Sequence, residues 1–167
     1  SRSMLDKTNN LPAWSGLGEI FYNHVLDTAP IKRELLAHAS TIAFLSTLYG
    51  NLYSFKGNPS TSYSLIVCKS GGGKDAYLKA AKEIFSELEL DYSGLGSYRS
   101  DSSIIESLPQ QRVRLDTQDE ASSLFIMANR SSSTSQVNIP NVLTELWSTK
   151  SFYPGMRSLK DGTYGSC

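Results

Sequence analysis

The sequence predicts an α/β fold: a short, mainly parallel sheet flanked by helices, behind an N-terminal helical segment. Three observations predict it. The apolar run "YSLIVC" (63–68) passes through "KSGGG" into "KDAYLKAAKEIFSELEL" (74–90), an order of strand, glycine turn and amphipathic helix. A second run, "RVRLDTQ" (112–118), alternates apolar and polar residues and ends at the acidic pair Asp119-Glu120. Two helical stretches precede both runs. The sheet is expected to include residues 62–68 and 111–117, with their C-terminal ends on the same side.

The elements follow in order. Residues 1–14 read as a flexible lead and 15–58 as the N-terminal helical segment. In "SGLGEIFYNHVLDTAP", Leu17, Ile20, Phe21, Val25 and Leu26 stand at helical spacing. Ser15 can cap this helix, and Glu19 falls near the capping-box position. Pro30 suits the first position of the next helix, where its missing N–H costs nothing. "IKRELLAHASTIAFLSTLYGNLY" is apolar around its circumference, as a helix buried on several sides must be. Gly50-Asn51 ends it, and "KGNPSTS" is a turn cluster.

Residues 59–167 read as the front part of a nucleotide-binding core that is incomplete. Ala76, Leu78, Ala81, Ile84, Phe85 and Leu88 form the predicted buried face of the helix after the glycines. "DYSGLGSYRSDSS" is a loop whose Asp101 or Ser102 caps a short helix through "IIESL", stopped by Pro109. "DEASSLFIMANR" and "IPNVLTELWSTK" read as helices, "SSSTSQ" as low complexity, and the tail from Ser151 as irregular.

Composition narrows the function. The chain has 167 residues, 40% hydrophobic and 19% charged, which suits one domain with a real core. Its formal net charge is zero, so no global basic field draws it onto nucleic acid. Any DNA contact is expected through a local patch or other parts of a longer protein. No apolar run approaches a membrane span, and "SRSMLDKTNN" has no signal-peptide core, so a cytoplasmic protein without a membrane partner is expected. Cys68 and Cys167 have no C-x-x-C spacing, and a disulfide between them is not expected. His24 and His38 fall in separate helical stretches and read as helix residues rather than ligands or bases.

The glycine stretch carries the chemistry. Loops that cradle nucleotide phosphates follow G-x-x-x-x-G-K-[ST]: glycines let backbone N–H groups converge on phosphate oxygens, the helix N-terminus adds partial positive charge, and the lysine reaches the β and γ phosphates. Gly73 and Lys74 hold their places in that pattern. Cys68 stands for the first glycine and Asp75 for the hydroxyl residue. A carboxylate at that position can hold Mg²⁺ directly or through water, so nucleotide binding is expected to depend strongly on Mg²⁺. The expected nucleotide contacts are Ser70, Gly71, Gly72, Gly73, Lys74, Asp75 and Ala76. The expected metal-facing acids are Asp75 and Asp119, with Asp116 an alternative to Asp119 because Arg112, Arg114 and Asp116 interrupt the second run. Glu120 is the expected base that activates water. The bland alternatives are a glycine turn whose Asp75 suits the helix dipole, and an acidic helix N-terminus at "DTQDE".

In these stretches the chain resembles a family. "GEIFYNHVLDTAP", the apolar helix, "YSLIVCKSGGGKDAYLKA", "GSYRSDSSIIESL" and "DEASSLF" occur in the order seen in phage- and plasmid-borne P-loop ATPases with a helicase-like core, often associated with primases. The resemblance covers roughly residues 15–150. It implies a RecA/AAA-like core, ATP and Mg²⁺ as cofactors, a possible homo-oligomer and a role in mobile-element DNA replication. It also implies that Asp75 is a tolerated variant and that Asp119-Glu120 is the acidic pair. A later sensor strand and a subunit-bridging arginine are expected in such a core; neither Arg130 nor Arg157 has a physical basis for that role, and hydrolysis by the chain alone is expected to be slow. The other readings are a nucleotide-binding interaction module without hydrolysis, and a small-molecule kinase or phosphotransferase. Arg99 is the sole arginine between residues 92 and 103, which counts against the arginine-rich lid a kinase needs.

Overall fold

A computed structural model describes residues 11–50, 52–55, 58–59, 61–69, 71–111, 113–122, 124–126 and 138–148. Three helices form the main core: α1 (Leu17–Thr28), α2 (Glu34–Tyr49) and α3 (Lys74–Glu87). Phe21 and Val25, one turn apart on α1, are buried with Ala37 and Phe44 of α2 and with Tyr77, Ala81 and Phe85 of α3. Their rings interlock. Phe21 stacks on Phe44 at 4.1 Å between centroids, and Phe44 on Phe85 at 5.2 Å; Tyr92 meets Phe85 edge-on. Each buried phenylalanine contributes about 1.5–3 kcal/mol through lost apolar exposure.

The circumferentially apolar α2 is buried on several sides, as expected, and its polar residues there are satisfied. Ser40 Oγ donates to the Tyr77 carbonyl at 2.8 Å, tying α2 to α3, while Thr41 and Thr47 donate back to the carbonyls four residues earlier. Several local expectations shift. The N-cap of α1 is Gly16, with no side-chain cap, rather than Ser15. Pro30 lies in the bend before α2, which opens at Glu34. On α3 the buried residues are Tyr77, Ala80, Ala81 and Phe85, whereas Leu88 is exposed. Tyr77 is buried because its hydroxyl is bonded on both sides, donating to the Ile31 carbonyl and accepting from the Arg33 amide.

A second, smaller cluster joins α4 (Asp101–Ser107) and α5 (Ile139–Ser148) through Ile104, Ile139 and Val142. Ser100, one residue before the expected caps, closes a reciprocal capping box with Ser103 at the start of α4. Of the "DEASSLFIMANR" stretch, residues 122 and 124–126 are helical. The "SSSTSQ" stretch and the tail from residue 149 lie outside the described residues, as do Cys167, Arg130 and Arg157.

The α/β expectation fails. Among the described residues the only sheet is a two-stranded antiparallel one, β1 (Ser54–Phe55) with β2 (Asn58–Pro59), of which β2 falls inside the expected turn cluster. Residues 61–69 form no ladder; the Tyr63 hydroxyl donates to the Leu143 carbonyl and its ring rests against Trp147 of α5. Residues 113–117 pair elsewhere. Leu115 N donates to Tyr92 O, Gly94 N to Leu115 O and Thr117 N to Leu95 O, leaving one isolated parallel bridge between Ser93 and Leu115. The physical reason lies in the side chains. A central parallel strand is apolar on both faces, whereas Asp116 needs polar partners and finds them in Leu95 N and the Tyr98 hydroxyl, and Arg114 finds its own in Asp116 and Ser107. Among the described residues no helix is long and apolar enough to cross a membrane.

Candidate functional site

The glycine turn sits at the N-terminus of α3 and is braced from the α1–α2 connection. Gly71 and Gly73 adopt left-handed backbone conformations with φ of 73° and 76°, which glycine enters without the Cβ clash that other residues pay. Gly73 is the N-cap of α3 and supplies no side chain, so no side-chain cap occupies the first amides of the helix. Gly72 is buried by the turn itself: its N–H donates to Lys69 O at 2.9 Å, and a Cβ there would strike Cys68 Sγ and stand 2.8 Å from Lys69 O. Cys68, at the place of the pattern's first glycine, is thus packed under the turn as a free thiol. Arg33 Nε donates to the Gly72 carbonyl at 3.0 Å.

Lys74 is the first residue of α3. Its ammonium lies 2.6 Å from Asp119 Oδ1 and 3.4 Å from Asp75 Oδ1. The structure thus joins the glycine turn to the downstream acidic pair in direct contact. The Asp119 hydrogen bond, more than any other influence, holds the Lys74 ammonium above its ordinary pKa; partial desolvation opposes it and Asp75 adds to it. The same bond, aided by the Glu120 amide, holds Asp119 below the ordinary carboxylate range. Both carboxylates are largely exposed, so this is a charge-organised surface rather than a buried ion pair.

Glu120 follows with φ of 55°. That is uncommon for a residue with a Cβ and a conformation that clusters at functional sites. Its amide donates to Asp119 Oδ1 at 3.0 Å. A cleft of about 1310 Å³ opens beside these residues, lined by Lys74, Asp119 and Glu120 together with Cys68, Tyr98 and Phe125.

Asp116 belongs to a different arrangement. Its carboxylate accepts from Leu95 N at 2.6 Å and from the Tyr98 hydroxyl at 2.9 Å, and Arg114 Nε lies 3.0 Å away. Burial, reinforced by the Asp116 charge, pushes the Tyr98 hydroxyl well above its usual pKa. With its oxygens so engaged, Asp116 holds the acidic segment in place, and Asp119 is the acid in contact with the lysine.

Of the other expected contacts, Asp75 and Ala76 lie in the first turn of α3, with Asp75 exposed and Ala76 packed partly against the core. Ser70 lies outside the described residues. His24 is exposed, whereas His38 is buried and accepts a hydrogen bond from Trp14 Nε1 at 2.7 Å, away from the loop. Motif reading did not find Arg33 or Tyr77. Arg33 precedes α2 with no local signature, and only the packing of α2 on α3 brings it to the glycines.

The donor set suits Mg²⁺ in one respect. Among the described residues no group of three or more metal-ligating side chains is gathered. Two carboxylates converge on one cation, the Lys74 ammonium. That matches a metal held by one or two carboxylates plus phosphate oxygens and water, as Mg²⁺ is, rather than an all-protein cage. No protein-family model, curated protein or solved structure matches the chain.

Proposed function

We propose that the turn at Gly71–Gly73, Lys74 and the first amides of α3 binds the phosphates of ATP. Asp75 and Asp119 hold the accompanying Mg²⁺, Glu120 orients and deprotonates the attacking water, and the chain is an ATP-binding, Mg²⁺-dependent NTPase domain. The observation that carries this reading is the 2.6 Å contact between Lys74 and Asp119, 45 residues apart. It unites two motifs that were identified separately and that this chemistry requires together. The reading stands on the loop and the acidic pair, without a parallel sheet. A role in mobile-element DNA replication is supported by the sequence resemblance.

Mg²⁺, held by Asp75 and Asp119, would supply charge neutralisation for the bound phosphates. The protein's own part is positional. Left-handed glycines turn the chain so that amides face an anion, α3 aligns its dipole on the same point, and Lys74 is displaced from Asp119 toward phosphate oxygen. Calorimetric titration with MgATP tests the reading. Lys74→Ala is expected to weaken binding at least tenfold, about 1.4 kcal/mol. Unchanged affinity overturns it.

A further inference from the structure

Three features of the molecule stand outside the loop chemistry: the apolar exposure of Leu65 and Val67, the Asp116 network, and the brace from Arg33 to the glycine turn. Leu65 and Val67 are exposed with nothing in the structure to show what covers them, and the Asp116 network is satisfied within the fold. The Arg33 brace leads to the proposed site itself.

Arg33 Nε donates to the carbonyl of Gly72 at 3.0 Å. That carbonyl and the N–H of Gly73 belong to one planar trans peptide, in which C=O and N–H point in opposite directions. Anchoring the Gly72 oxygen toward the α1–α2 connection therefore turns the Gly73 N–H away from that connection. Without the anchor, the glycine peptide is free to flip, because glycine populates both signs of φ. The arginine is itself held by its backbone: its N–H donates to the Tyr77 hydroxyl at 2.7 Å, and that hydroxyl donates to Ile31 O at 2.6 Å. Ile31 also abuts Gly73, 3.4 Å from where a Cβ would stand. The connection 31–33 thus grips the loop and the first turn of α3 together.

We propose that Arg33 is a positioning residue of the phosphate site: through Nε it fixes the Gly72–Gly73 peptide so that the Gly73 amide faces the bound phosphate. The inference rests on the ATP reading and deepens it.

The test compares Arg33→Ala with Arg33→Gln. Alanine deletes the donor but keeps the backbone bond to Tyr77. Glutamine places an amide nitrogen as many bonds from the backbone as Nε, so it keeps the donor and loses the charge. MgATP affinity is read by calorimetry, and the Gly73 amide by NMR in the ligand-free protein. Arg33→Ala is expected to weaken MgATP binding about tenfold and to shift the Gly73 amide signal. Arg33→Gln is expected to restore affinity to within about twofold and to return the signal. The tenfold loss corresponds to about 1.4 kcal/mol. Unchanged affinity in Arg33→Ala overturns the proposal. So does Arg33→Gln binding as weakly as Arg33→Ala, which would mean that the guanidinium acts by charge. If the native chain does not bind MgATP, or Lys74→Ala binds as well as it does, the ATP reading falls and this inference with it. If both behave as expected while Arg33→Ala is silent, only the role of Arg33 falls.

Discussion

The two sides of the proposed site are held by different physics. Lys74 and the glycine turn stand on α3, whose buried face of Tyr77, Ala81 and Phe85 is packed into an aromatic, three-helix core. Asp119 and Glu120 stand on irregular backbone held by polar bonds: Asp116 to Leu95, Tyr98 and Arg114, and the Gln118 side chain to Tyr98 N at 2.9 Å. Apolar packing is non-directional and tolerates small shifts. A polar network is directional, and each unsatisfied member is costly. The lysine is therefore placed by close packing spread over three helices, and the acid by a few directional bonds centred on Asp116.

The sharpest way to break the first side is Phe85→Ala. Phe85 is fully buried between Phe44 and Tyr92, and its truncation is expected to cost about 3–5 kcal/mol by denaturant unfolding. A loss below 1 kcal/mol would show that the three-helix core is not what holds α3. The counterpart on the second side is Asp116→Ala. It removes the carboxylate's bonds to three partners and leaves Arg114, itself largely buried, without its ion pair. About 2 kcal/mol is expected. Amide exchange should rise across 93–98 and 113–120 while α1–α3 stay protected; equal loosening of both would refute the division.

The contact between the two sides gives a smaller effect of unusual sign. Asp119 occupies Lys74, the lysine that the proposed phosphate contact needs. Asp119→Asn is expected to strengthen binding of metal-free ATP by roughly two- to fivefold, in keeping with the modest worth of an exposed ion pair. The same variant should bind MgATP more weakly if Asp119 holds the metal as proposed, since that carboxylate loses its charge. Calorimetry with and without Mg²⁺ separates the two; weakening in both conditions would mean that the pair does not compete with phosphate.

The smallest effect is a pH dependence confined to the first side. His38 Nδ1 accepts from Trp14 and must be neutral to do so. Burial lowers its pKa from the ordinary 6.5, and the Glu34 carboxylate pulls partly the other way. The unfolded chain therefore binds this proton at a higher pH than the folded one. The stability contribution is fully present above about pH 6.5 and is lost as pH falls from there through the lower folded value. His38→Asn, whose side-chain oxygen stands as many bonds from the backbone as Nδ1 and can accept the same hydrogen bond, should flatten that part of the profile; an unchanged slope would assign it to other groups.

Much of the site was legible because it is written locally. "SGGGK" before an amphipathic helix specifies a left-handed turn and a helix N-terminus, and the structure has both, with Lys74 as the first helical residue. The acidic pair was legible as a candidate but not as a contact. The choice between Asp116 and Asp119 was not legible at all, since it turns on Tyr98 and the Leu95 amide, neither of which carries a motif. The sheet misled the reading. An apolar run such as "YSLIVC" has the composition of a buried strand, yet a strand exists only where a partner offers a ladder, and 113–117 pairs with 92–95 instead.

The sequence by itself determined the helices and the glycine turn, because periodicity, capping and φ preference act within a few residues along the chain. It also determined which residues could meet phosphate and metal, because that follows from side-chain chemistry. Only the tertiary structure decided which acid faces Lys74, that Tyr63 rests on α5 while residues 61–69 join no sheet, and that Arg33 grips Gly72. Each of these depends on contacts between residues distant in the chain, whose energies come from the packing of whole helices and from polar partners no local pattern specifies.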